Sequence, residues 1–107
     1  MKMKLRTFLL TQIIWSKKTF GEEKRTKGII KHIKKELKEI ELNPTDLLEW
    51  IDVIILAMDG YWRHGGKPGL LLELLEKKQK INFSRDYPFP VSENTPSFHN
   101  KTKGKTT

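Results

Sequence analysis

The sequence predicts an all-α protein, a four-helix bundle completed by oligomerisation. Apolar side chains recur at helical spacing in four separate stretches. No stretch alternates apolar and polar residues long enough to make a strand. One of the four helical stretches is apolar over most of its circumference, which calls for packing on several sides, by its own chain and by a partner. With 107 residues the chain has the size of one domain. A chain this short buries a modest share of its surface, so assembly is expected.

The first helix is predicted over 5–18, where Leu5, Phe8, Leu9, Ile13 and Trp15 keep close to helical spacing, interrupted by Gln12. A polar loop follows over 19–27, with Gly21 as its turn residue. The second helix is predicted from Thr26 to Glu41, with Ile29, Ile30, Ile33, Leu37 and Ile40 on one face. The third is predicted from Pro44 to Arg63, with Asn43 as cap, Pro44 in the first turn and Asp46 favouring the helix dipole. Gly65 and Gly66 are expected to end it. This is the nearly all-apolar helix: Leu48, Trp50, Ile51, Val53, Ile54, Ile55, Leu56, Ala57, Met58 and Trp62 leave a thin polar strip. The fourth helix starts near Pro68, buries Leu70, Leu71, Leu74 and Leu75, and is broken at Tyr87-Pro88-Phe89-Pro90. The helical domain is thus expected over 1–88, with an extended or disordered basic tail over 89–107.

Composition removes several function classes. The chain has no cysteine, which excludes disulfide scaffolds, thiol catalysis and thiolate metal sites. No apolar run approaches the roughly 20 residues of a membrane helix. Residues 2–15 resemble a signal peptide only faintly, since Thr11 and Gln12 interrupt the apolar stretch and no small-residue cleavage site follows. A cytoplasmic protein without a membrane partner is expected. The net charge is +8, which taken alone suggests a polyanionic partner. Yet between Glu36 and Asp59 there are seven acids and one base, Lys38. A site that holds cations, surrounded by bases that attract a phosphate substrate, accounts for both halves of this pattern.

The acids are patterned. Glu36 and Glu39 on the second helix, and Glu49 and Asp52 on the third, are both i, i+3 pairs, so each pair shares a helix face. Asp59 lies two turns beyond Asp52 on the same strip. A short turn at Asn43-Pro44 makes the helices antiparallel neighbours, and the two pairs then converge. Clustered, partly buried carboxylates are costly through desolvation and mutual repulsion. Protonation, arginine partners or divalent cations can offset that cost, and the strip is poor in arginine. An all-oxygen ligand set favours a hard ion, Mg²⁺ or Mn²⁺, over zinc. Such ions bridge phosphate oxygens and activate water. The competing reading makes these acids an ordinary solvated face.

Other residues carry weaker signals. His32 lies one turn before Glu36 and is expected either to support that carboxylate or to touch substrate. His64 is explained by the helix C-terminus. Lys78, Asn82 and Arg85 share one face of the fourth helix and suit a triphosphate or a base edge, against a plain basic surface. Trp15 and Phe20 are candidates for stacking on a base, against a place in the core.

The stretches WSKKTFG, GIIKHIKKELKEIELNPTDLLEWIDVIILAMDGYWRHG and KKQKINFSRDYP resemble the MazG-like all-α nucleoside triphosphate pyrophosphohydrolases. The branch they resemble is the phage and bacterial dATP/dGTP pyrophosphohydrolase N-terminal domain, over residues 5–88. The E-x-x-E…E-x-x-D signature is present as Glu36, Glu39, Glu49 and Asp52, followed by D-G-x-W-R at Asp59 to Arg63. The resemblance implies Mg²⁺-dependent cleavage of a nucleoside triphosphate between its α and β phosphates. It makes the four acids metal ligands, and Lys78, Asn82 and Arg85 the element that closes the site. It also implies a homodimer or homotetramer. Departures from the family pattern include Tyr87 where Trp is common, Ile81 where Lys is common, and a weak Lys67-Pro68-Gly69 cap.

Two rivals predict other things. A basic nucleic-acid-binding module needs no acidic strip and binds with steep salt dependence. An inactive interaction protein shows no Mg²⁺-linked stability. The acidic block argues against a nucleic-acid partner.

Overall fold

A computed structural model of the chain describes residues 3–85 and Glu93. The predicted break at residues 87–90 lies outside them, as does the predicted tail apart from Glu93. The architecture is all-helical, with no strand among the described residues. Four α-helices follow in order: α1 (Leu5–Phe20), α2 (Thr26–Leu42), α3 (Leu47–Arg63) and α4 (Leu71–Ser84), with a 3₁₀ turn at Pro68–Leu70 ahead of α4. The described residues fall into two units, one up to Leu71 and one from Leu72 onward.

In the first unit, α2 and α3 form a helical hairpin, and α1 packs on α3 and on the turn at 68–70. Leu9, Met58 and Leu71 are its buried centre, with Leu5, Phe8, Ile13, Tyr61 and Trp62 packed around them. α1 ends at Gly21, whose φ of +86° suits glycine. Lys17 and Lys18 in its last turn favour the helix dipole.

The hairpin link differs from the expectation at Asn43-Pro44. Asn43 closes α2 instead, its N–H donating to Glu39 O and Ile40 O. The N-cap of α3 is Asp46, whose carboxylate accepts from Leu48 N at 3.1 Å. Both are Asx residues able to cap, but α3 begins at Leu47, which makes the residue just before it, Asp46, the cap. Trp50 ties the link down, its indole donating to Pro44 O at 2.9 Å.

α3 ends at Arg63, and His64 Nδ1 donates back to Gly60 O at 2.7 Å. Tyr61 donates to Lys67 O at 2.7 Å, folding the link over its own ring. A Cβ at Gly66 would stand 2.4 Å from that ring, so only glycine fits.

The expected buried face of the fourth helix is not buried throughout. Leu71 is buried, but Leu70, Leu74 and Leu75 are 43–52% exposed. On α3, Leu47, Leu48, Trp50, Ile51 and Ile54 are exposed as well.

Candidate active site

The two i, i+3 pairs meet across the α2–α3 hairpin. One carboxylate oxygen each from Glu36, Glu49 and Asp52 lies within 4.8 Å of the others. Glu39 shares a hydrogen bond with Glu49. Three of the four acids singled out by spacing thus come within one ion's reach, and Glu39 stands beside Glu49 without joining that set. Glu36 is buried, Glu39 and Glu49 are half-buried, and Asp52 is exposed. His32 Nε2 stands 3.2 Å from Glu36 Oε1, the place its spacing suggested.

The electrostatics show the cost of this gathering. Glu49 is pushed up from 4.5 to about 7, first by burial, then by the hydrogen bond to Glu39 and by the charges of Glu39, Glu36 and Asp46. Glu36 Oε2 and Glu49 Oε2 are buried and have no hydrogen-bond partner among the described residues. Buried acceptors left unpaired are destabilising unless something positive or a donor fills the gap. The donor set is oxygen alone, so the residues fit a hard divalent cation.

Asp59 does not belong to this set. Its Oδ2 accepts from Arg63 Nε at 2.9 Å. Its Oδ1 accepts from Ser16 Oγ at 2.6 Å and from Trp62 Nε1 at 2.8 Å. Arg63 in turn donates from Nη1 to Gly21 O and Glu23 O, and from Nη2 to Ser16 O and Ser16 Oγ. All five of its N–H groups have an acceptor. The sequence reading placed Asp59 on the acidic strip and overlooked this clamp. Arg63, one turn beyond Asp59, was a readable signal; Ser16, which is 47 residues from Arg63, was not.

A cleft of about 210 Å³ opens beside the carboxylates, lined by Glu36, Asp52 and His32 on one hand and by Trp15, Phe20 and Arg25 on the other. Trp15 and Phe20 are half-exposed at this cleft. Gln12 and Arg25 also line it, and neither was singled out from the sequence. In the second unit, Lys78 and Asn82 lie on α4 and Arg85 just beyond its end. Asn82 Nδ2 donates to Gln79 Oε1 at 3.3 Å.

The described residues thus define an all-helical protein whose carboxylates gather beside an aromatic-walled cleft. The family model for dATP/dGTP pyrophosphohydrolases matches residues 11–104, and the chain belongs to that family. The MazG-like resemblance read from the acidic motifs is thereby borne out. Comparisons with curated proteins and with solved structures give no match. No helix among the described residues is long and apolar enough to cross a membrane.

Proposed function

We propose that the protein is a Mg²⁺-dependent pyrophosphohydrolase that converts a purine deoxynucleoside triphosphate, dATP or dGTP, and water to the monophosphate and pyrophosphate. The observation that carries this reading is the convergence of Glu36, Glu49 and Asp52 within 4.8 Å, with two buried oxygens lacking partners. Glu36, Glu39, Glu49 and Asp52 would hold the metal, with Mn²⁺ as the alternative ion. Bound there, the ion supplies charge neutralisation for the triphosphate and a lowered pKa for water.

The chain's own residues do the rest. His32 Nε2 holds Glu36 Oε1 in place. A Glu39 carboxylate oxygen takes the proton of the attacking water. Lys78, Asn82 and Arg85 steady the phosphates as bidentate and point-charge donors. The functional domain spans 1–88, and the protein works in the cytoplasm without a stable nucleic-acid partner. It assembles as a homodimer or homotetramer, which the exposed apolar residues of α3 support.

The test is a panel of deoxynucleoside triphosphates with Mg²⁺, scored for pyrophosphate against orthophosphate. Pyrophosphate from dATP or dGTP is the expected product. Orthophosphate alone would reject cleavage between the α and β phosphates.

A further inference from the structure

We propose that Arg25 and Gln12 read the edge of a purine base in the cleft beside the carboxylates, Arg25 favouring guanine and Gln12 favouring adenine. The inference rests on the nucleotide reading above and adds which side chains choose the base. It starts from the cleft, whose lining joins Glu36 and Asp52 to Trp15, Phe20, Gln12 and Arg25. Trp15 and Phe20 meet edge to face, with centroids 5.6 Å apart and planes at 85°. They keep 52% and 45% of their surface exposed. Large rings held open along a cleft wall offer a face to a flat heterocycle.

Arg25 is built into the same wall. Its guanidinium carbon lies 4.6 Å from the Phe20 ring centroid. A guanidinium laid on a ring has its plane fixed while its N–H fork stays available at the edge. No hydrogen bond from that fork is made among the described residues, in contrast to the fully engaged fork of Arg63. Arg25 is also the one non-glycine residue with positive φ among the described residues, at φ +52°. A left-handed arginine is a strained choice, and strain of this kind concentrates at functional positions. The Arg63 clamp on Gly21 O and Glu23 O holds the loop that imposes it.

Edge chemistry then assigns the two residues. An arginine fork matches the paired acceptors O6 and N7 of guanine, and a glutamine amide matches the donor and acceptor at N6 and N7 of adenine. A phosphate role for Arg25 predicts something different, an equal loss for both nucleotides.

The experiment measures kcat/KM for dGTP and dATP with Mg²⁺ in the wild-type protein, Arg25→Lys and Gln12→Leu. The lysine keeps the charge and removes the fork. The dGTP-to-dATP ratio is expected to fall roughly 5- to 150-fold in Arg25→Lys, the value of one bidentate base contact, and to rise in Gln12→Leu. Unchanged thermal unfolding excludes a folding defect as the cause. A ratio that stays within about twofold in both variants, or moves the opposite way, overturns the inference while leaving the pyrophosphohydrolase reading intact. A wild-type protein that releases pyrophosphate from neither nucleotide overturns that reading itself, and the inference with it.

Discussion

Arg63→Met isolates the buried clamp between α3 and the end of α1. The Arg63 side chain is 0% exposed and that of Asp59 6%, so the pair has no access to water to replace a lost partner. Methionine fills much of the volume but leaves the Asp59 carboxylate facing only Ser16 and Trp62. Removing one partner of a buried pair costs about 3–5 kcal/mol. For a domain of this size each kcal/mol moves the midpoint by about 4–8 °C, so a fall of roughly 12–40 °C is expected. The midpoint is read by a thermal melt and the free energy by urea unfolding, both followed by helical circular dichroism, since urea leaves ionic contacts unscreened whereas guanidinium salts screen them. A companion double variant, Asp59→Leu with Arg63→Met, should recover part of the loss, because an apolar pair avoids the stranded charge. The recovery is partial because Ser16 Oγ and Trp62 Nε1 also lose their acceptor. A loss below about 1 kcal/mol in the single variant, the range of exposed ion pairs, would refute the reasoning.

Other outcomes follow from the same geometry. Glu49 carries a folded-state pKa of about 7 against an ordinary 4.5. Below 4.5 it is protonated in both states; between 4.5 and 7 only the unfolded chain gives up the proton, so this contribution to stability falls as pH rises and the fall is complete above 7. Melting the metal-free protein across that range should show the decline, and Glu49→Gln should lack it; parallel curves would contradict the assignment. Mg²⁺ at a hundred times its dissociation constant should stabilise the protein by about 2.7 kcal/mol, an effect that Glu36→Gln and Asp52→Asn should abolish in the same melt. Gly66→Ala should cost about 1–3 kcal/mol through the clash with Tyr61, read by chemical denaturation; a neutral result would mean that the link relaxes freely. Ile51→Glu on the exposed face of α3 should shift the sedimentation coefficient to that of a single chain, and an unmoved assembly would place the interface elsewhere.

Much of the fold was legible because helical periodicity is local. The start of α1 at Leu5, the start of α2 at Thr26 and the end of α3 at Arg63 all follow from apolar spacing and turn residues. The four carboxylates were legible for the same reason: i, i+3 pairs on two helices joined by a short link have little choice but to converge. Where two local signals competed, the reading failed. Asn43 read as the cap and Asp46 as an acid for the helix dipole, but α3 starts three residues later than the Pro44 signal suggests, at Leu47, and Asp46 caps it. Contacts between distant parts of the chain were not legible at all. Nothing in the sequence links Ser16 to Asp59 and Arg63, and nothing brings Gln12 and Arg25 to the cleft that holds Glu36. Nor does periodicity tell a stripe that is covered from one left open, as Leu74 and Leu75 show.

The saturated guanidinium of Arg63 has a bearing on how nucleotides come and go. A wall that swings aside must surrender its tethers, and here the two that run from one guanidinium nitrogen to Gly21 O and Glu23 O would have to part together. The segment bearing Phe20 and Arg25 is therefore a fixed jamb rather than a door, and traffic through the cleft must pass beside it.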